Sequence, residues 1–497
     1  MKKNHAYILL ALIVLVAVWV RFSPIIWERD MWYDEAFTGI LLKAPFGEMN
    51  QMIAEDVHPP LYYWLAKPWA AIFGYSPFGI RTFSLACGLA IVVSVFVVAK
   101  RMFNVRVGLL ASAITAISPF AVEYSQEARM YSLFGLLFLW SVWFFYQALQ
   151  TNRKKYWVGW AIFSGLSFYT HYLALFFFIM FYMTYVLYLK FFEKKSIVAS
   201  LLGQKGFWLG VGIIFAIFLT WFKVFFVHMM KGNLGWIGVS YLSDIPKTLQ
   251  IFLFGHPPGT GGVPYPNQFN LISVGKNVIH EVPLFDEYSI GVVVLSLFCV
   301  FGTLIWIKDK TKKQVAVLSL MSLGTLVFLI LLSFANIKLY VARYFMPAAI
   351  LIYILIAGIF VTAFHKKWAW IAVLAIYCGL LALIQTPDYA KGWNYIWVNQ
   401  DELVGDKIVV AGDPFAYTSA RYYFGEDRVR YYNKGNPTED FSGWVVVGNK
   451  NRITDPKDIV TSSDMIVVDG SCDWSDHGIE LEMVQEADNV FVCEVVN

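Results

Sequence analysis

Apolar residues come in long, nearly unbroken runs near 6–27, 77–99, 107–123, 130–149, 156–171, 172–192, 206–229, 288–307, 314–335, 341–364 and 368–386. A helix needs about 20 apolar residues to cross a bilayer, so the pattern predicts about eleven spans. The stretch 156–192 must then turn near His171. A further apolar segment, 60–73, is too short to span and is expected at the membrane interface. Phe46, Met49, Met52 and Ile53 recur at helical spacing, with Glu48, Asn50 and Gln51 between them. That stripe predicts a helix lying flat on the membrane or, equally, a lid over the spans. After Pro387 the long runs vanish and short β-type runs follow at 407–410, 444–447, 465–468 and 490–492, with a helix expected over 415–424. Two parts result: a membrane domain over 1–386 and a small α/β domain over 387–497.

Composition agrees. Of 497 residues, 58% are hydrophobic, 18% aromatic and only 15% charged, with a mean hydropathy of +0.57. A soluble chain carries about 25% charged residues. The fold class is therefore a polytopic α-helical membrane protein. The net charge of +4 is modest, and no basic patch with interleaved aromatics points to nucleic acid.

Charge placement sets an orientation. With the N-terminus cytoplasmic, one side holds Lys100, Arg101 and Arg106; Arg153, Lys154 and Lys155; Lys190, Lys194, Lys195 and Lys205; Lys308, Lys310, Lys312 and Lys313; and Lys366 with Lys367. Only Glu193 and Asp309 oppose them. Segments 28–76, 118–129, 231–287 and everything after 387 then face the outer side of what is expected to be the plasma membrane. Lys2, Lys3 and the first apolar run also suit a signal peptide. No small-residue cleavage site precedes the segment 27–35, so a retained anchor is expected. Arg21 is expected to mark the water interface. Cys87, Cys299 and Cys378 read as small buried hydrophobes. Cys472 and Cys493 pair if the tail faces an oxidising space.

The unusual polar residues collect in the outer segments. Trp32, Tyr33, Asp34 and Glu35 put two adjacent carboxylates beside aromatic rings at a membrane surface, suited to acid–base chemistry on a lipid-borne group. Alone, the pair also reads as an ordinary acidic loop. Asp56-Val57-His58-Pro59-Pro60 precedes a helix whose free N–H groups favour an anion such as phosphate. His58 could bind that anion, ligate a metal, or simply bond to backbone. Glu127 and Arg129 stand at the edge of a span, where unpaired charge is costly, and are expected to pair with the first outer loop or to snorkel. Arg343 opens the run 341–364 and has the planar fork that holds two phosphate oxygens. His171 and His256 are weaker candidates. The long segment 231–287, rich in Gly and Pro near His256, is of the type that covers a site.

Together these features resemble the GT-C membrane glycosyltransferases, in the protein-mannosyltransferase-like group that includes glycosyltransferase family 39 and the aminoarabinose transferases acting on lipid A. The matching pieces are Trp32-Tyr33-Asp34-Glu35-Ala36, Asp56-Val57-His58-Pro59-Pro60-Leu61-Tyr62-Tyr63-Trp64, Arg81, Gln126-Glu127-Ala128-Arg129-Met130-Tyr131, and Ala342-Arg343-Tyr344 with Pro347. The resemblance covers roughly 6–350 and leaves the C-terminal part without a role. It implies an inverting transfer of a sugar from a polyprenyl-phosphate donor to a protein, lipid or glycan acceptor on the outer face. Asp34 matches the catalytic acid of the first loop, and Glu127 matches an acid lining the same cavity. The aminoarabinose transferases carry Lys-Pro where this chain has His58-Pro59.

The expected site follows. Asp34 is the base. Glu35, Asp56, Glu127 and Tyr131 line the sugar and acceptor cavity, and His58, Arg81, Arg129 and Arg343 hold the donor phosphate. A divalent ion is optional, with Glu35, His58 and Glu127 as candidate ligands. A phosphate leaving group needs charge stabilisation more than a strong acid. The rivals are a flippase of a lipid-linked sugar and a glycan ligase. A transporter would carry its charges near mid-membrane, whereas these lie at the outer edge. The tail also has no Trp-Trp-x-Asp motif of the oligosaccharide-transferring kind.

Overall fold

The computed structural model describes residues 3–22, 30–202, 204–231, 244–255, 311–337, 339–363, 369–383, 404–432, 465–469, 472–477, 479–487 and 490–496, with isolated positions or pairs between them. Among these, six helices are long and apolar enough to cross a membrane: Asn4–Arg21, Pro77–Met102, Tyr131–Thr151, Ala174–Phe191, Lys312–Phe334 and Ala342–Thr362. Lys205–Leu219 and Phe222–Met230 make a seventh only if counted as one span bent by 70°.

Among the described residues, then, up to seven helices meet the length and apolarity of the eleven expected spans. The run 107–123 divides because Ser118 accepts the N–H of Ala121 and Pro119 opens a new short helix, leaving Val105–Ile117 at 13 residues. The run 156–171 gives a helix of 17 residues that stops where His171 turns extended. The run 368–386 gives a described helix of 15 residues. At 1.5 Å per residue, such helices reach only about 20–25 Å. The run 288–307 and His256 lie outside the described residues, as do Cys299 and most of 444–447.

Local chemistry explains the helix ends. Ser76 accepts from Gly79 N–H and Pro77 occupies the first turn of Pro77–Met102. Asn104 accepts from the N–H groups of Arg106 and Val107. Gly135 lets two helices close: a Cβ there would lie 2.7 Å from Ile350 and 2.8 Å from Met346. Arg21 corrects its expectation. It is fully buried and donates to the carbonyls of Ala17, Thr115, Ala116 and Ala121, tying the first helix to the bundle.

The first outer segment folds into the helices Tyr33–Lys43, Phe46–Glu55 and Leu61–Phe73. Met49, Met52 and Ile53 of the second are buried against the protein, while Phe46 is exposed. The stripe thus faces inward, as a lid does.

The C-terminal part forms a mixed sheet. Its strands are β1 (Ile408–Ala411), β2 (Val429–Tyr432), β3 (Arg452–Ile453), β4 (Met465–Asp469), β5 (Leu481–Ala487) and β6 (Val490–Val495), in the spatial order β3-β2-β1-β4-β6-β5. The pairs β1–β2, β1–β4 and β2–β3 are parallel, and β4–β6 and β5–β6 antiparallel. The helix Pro414–Phe424, capped by Asp413, crosses between β1 and β2. Cys472 and Cys493 are joined by a disulfide with their Cα atoms 5.9 Å apart. Cys87 is buried as expected, but Cys378 is exposed on its helix.

Candidate active site

Asp34 sits in the first turn of the helix Tyr33–Lys43, where the helix dipole favours a carboxylate. Its side chain keeps 17% exposure, while its neighbour Glu35 keeps none. One helical step thus separates a reachable acid from a sealed one.

Glu35 is occupied by Arg81. Arg81 Nε donates to Glu35 Oε1 at 2.8 Å and Nη2 donates to Oε2 at 2.7 Å. The backbone N–H of Ala128 adds a bond to Oε1 at 2.8 Å. Both side chains are fully buried, so this is a two-bond pair between the Asp34 helix and the helix Pro77–Met102. The expectation that Glu35 lines the sugar cavity and Arg81 holds the phosphate is corrected: each faces the other.

That pair helps present the loop Gln126-Glu127-Ala128-Arg129. Gln126 Nε2 donates to the Arg21 carbonyl at 3.1 Å, and Ala128 is held by Glu35. Ser84, itself bonded to Tyr62, donates to the Arg129 carbonyl. The Arg129 side chain, 1% exposed, then reaches Asp34: Nε lies 4.0 Å from Asp34 Oδ2. Nη1 donates to the Asp34 carbonyl at 3.3 Å, Tyr63 OH at 3.3 Å and Thr38 Oγ1 at 3.5 Å. Nη2 lies 2.8 Å from His58 Nε2. His58 Nδ1 lies 2.6 Å from Asp56 Oδ2. Asp56, His58, Arg129 and Asp34 therefore form one polar chain drawn from three segments.

Arg343 is buried at the start of its span, its guanidinium carbon 5.7 Å from the Trp32 ring centre and 5.6 Å from that of Tyr344. The Tyr344 ring lies 6.2 Å from Tyr131 and 4.7 Å from His171. Asp34 acts electrostatically on Arg129, Arg343, Tyr131 and Tyr344. Glu127 is buried and supports the charge of Arg129. Burial, with Asp34 and Asp56 after it, pushes the Tyr33 phenol well above its usual range.

Of the expected site residues, the structure gathers Asp34, Asp56, His58, Glu127, Arg129, Tyr131 and Arg343, and diverts Glu35 and Arg81. Thr38 joins them without having been singled out, as do Tyr63, Trp32 and Tyr344, which were named only within the matching motifs. The first was legible, being one helical turn past Asp34 and so on the same face. For a metal, the candidates Glu35, His58 and Glu127 do not assemble. Among the described residues, no three His, Cys, Asp or Glu side chains come together as an ion would need. Glu35 is committed to Arg81, and His58 lies between Asp56 and Arg129.

Residues 57–222 match the family model of dolichyl-phosphate-mannose-protein mannosyltransferases. No curated protein sequence matches the chain. Among solved structures, the chain resembles ArnT from Cupriavidus metallidurans bound to undecaprenyl phosphate, with a TM-score of 0.61 and 13% identity over 97% of each chain. The apo state of that ArnT matches with a TM-score of 0.58 and 11% identity, again over 97% of each chain. At such identities the likeness is one of fold. The resemblance to GT-C glycosyltransferases read from the motifs thus holds for the fold and for the segment 57–222.

Proposed function

We propose that this protein is an inverting membrane glycosyltransferase that moves a sugar from a polyprenyl-phosphate carrier to an acceptor hydroxyl on the outer face of the membrane. The observation that carries the reading is a reachable carboxylate, Asp34, beside the buried guanidinium of Arg129 and within the field of Arg343. Asp34 takes the proton of the acceptor hydroxyl as its oxygen attacks the anomeric carbon. The bond from that carbon to the phosphate oxygen breaks, and polyprenyl phosphate leaves with the electron pair. Arg129 and Arg343 stabilise the charge that grows on the leaving phosphate. One carboxylate suffices for a single displacement, since no second group has to protonate so stable a leaving group. The ArnT structure bound to undecaprenyl phosphate supports a lipid phosphate as the donor end. The reading places the N-terminus in the cytoplasm and the C-terminal sheet outside, as the Lys and Arg pattern asks.

The test is reconstitution of the purified chain in vesicles with a panel of polyprenyl-phosphate monosaccharides and candidate protein, lipid and glycan acceptors. Release of free polyprenyl phosphate, with the sugar on the acceptor, is expected. Movement of intact lipid-linked sugar between leaflets without cleavage would make the protein a flippase instead.

A further inference from the structure

The helix Pro414–Phe424 belongs to the C-terminal sheet but packs on the Asp34 helix. Its Tyr423 hydroxyl accepts the Met31 N–H at 2.8 Å and donates to Asp30 Oδ1 at 3.3 Å. Burial first, and Asp30 next, push the Tyr423 phenol upward, so it keeps the proton that this bond uses. Its neighbour Tyr422 donates to the Tyr75 carbonyl at 2.7 Å. The Tyr422 carbonyl accepts from Lys43 Nζ at 2.7 Å, and the same ammonium lies 4.0 Å from the Tyr422 ring centre. Phe415 meets Tyr33 edge-on at 4.7 Å. Midway along, Gly39 admits the Tyr422 ring so closely that a Cβ there would lie within 2.5 Å of two ring carbons. The Asp34 helix is thus gripped at its start, middle and end by residues nearly 400 positions away in sequence.

The start of the helix is held from two directions. Arg81 Nη2 donates to the Asp30 carbonyl at 2.9 Å from within the bundle. Tyr423 binds Asp30 and Met31 from the tail. Residues 30–32 lie outside regular secondary structure, Trp32 is extended, and the helix begins at Tyr33, so whatever fixes these residues fixes where the first turn begins. Asp34 lies in that turn.

We propose that Tyr423 is a positioning residue for Asp34, and that the tail acts through this hydroxyl to set the turn carrying the catalytic carboxylate. The tail is then part of the catalytic apparatus although it supplies no group to the reaction. The proposal rests on the reading of Asp34 as the base. It predicts a loss of rate without a loss of donor binding, because Tyr423 bonds Met31 and Asp30, the residues just ahead of the Asp34 turn.

The test compares full-length wild type with Tyr423→Phe, which removes only the hydroxyl. Two quantities are read: transfer kinetics, and hydrogen exchange at residues 30–36. Exchange there is expected to quicken roughly tenfold as the turn loosens, with the helix Pro77–Met102 unchanged. A misplaced reacting group costs up to about a hundredfold, so kcat is expected to fall roughly tenfold to a hundredfold while the donor KM stays within about twofold. Gly39→Ala, which pushes on the Tyr422 ring, is expected to give the same pair of effects and serves if Tyr423→Phe does not accumulate. Unaltered exchange at 30–36 overturns the proposal whatever the rate, and so does quickened exchange with an unaltered kcat. If wild type itself transfers no sugar, the proposed function fails and takes the catalytic half of the proposal with it. The exchange data still decide whether the tail fixes the turn.

Discussion

His58 Nε2 lies 2.8 Å from Nη2 of Arg129. A guanidinium can only donate, so the imidazole accepts there and carries its proton on Nδ1, which it donates to Asp56 at 2.6 Å. His58 is therefore a relay between an acid and an arginine, and its expected roles as phosphate or metal ligand do not fit its bonds. His58→Lys is the sharp test, because it installs the residue type that the aminoarabinose transferases carry. An ammonium cannot accept from Arg129 and would repel it. Leaving such a buried donor unmatched costs about 1–3 kcal/mol, so transfer is expected to fall roughly tenfold or more. A His58→Lys protein with wild-type turnover and melting temperature would show that the relay does not matter.

Glu35 and Arg81 make a contrasting prediction, since their pair is structural. Removing one member of a buried pair leaves the other uncompensated, at a cost of roughly 3–5 kcal/mol. Arg81→Ala and Glu35→Ala are expected to lower the melting temperature and the yield of folded protein sharply. Folded protein that survives should bind donor normally. An Arg81→Ala protein of normal stability that no longer bound the lipid phosphate would return Arg81 to the phosphate site.

Arg343 is expected to separate donor binding from chemistry. It lies buried between Trp32 and Tyr344. If its planar fork grips the phosphate, Arg343→Ala should weaken donor binding roughly ten- to a hundredfold, the worth of a charged hydrogen bond of about 1.5–3 kcal/mol. Arg343→Lys should recover only part of that, since an ammonium offers a point charge. Titration of polyprenyl phosphate against the three proteins reads this directly. Equal affinities would leave Arg129 as the phosphate ligand.

Much of this site was legible because its chemistry sits in short motifs beside apolar runs. Asp34, Arg129 and Arg343 each stood out as polar residues at the edge of a membrane-length segment, and His58 as a polar residue just ahead of the shorter apolar segment 60–73. The helix over 415–424 and the strands at 465–468 and 490–492 showed in the apolar pattern and formed within a residue or two at their starts. What the sequence hid was pairing. Nothing at Glu35 announced that Arg81, 46 residues on, would take both its oxygens. Nothing at Tyr423 announced Asp30, 393 residues back. The strands β2 and β5 escaped because Arg430, Glu482, Gln485 and Glu486 interrupt their apolar residues. The run 107–123 reads as a single span because hydropathy adds across a Ser-Pro break at 118–119, where the helix itself divides.

Asp34 is proposed to remove the acceptor proton. Asp34→Asn keeps the size and shape of the side chain and removes its capacity as a base. The measurement is single-turnover transfer from a labelled polyprenyl-phosphate sugar by Asp34→Asn and wild type, with donor affinity and melting temperature read on the same samples. General-base removal is expected to cost about 10²–10⁴ in rate, with donor affinity at least that of wild type and an unchanged melt. A stable Asp34→Asn protein that bound donor and turned it over at the wild-type rate would contradict the account.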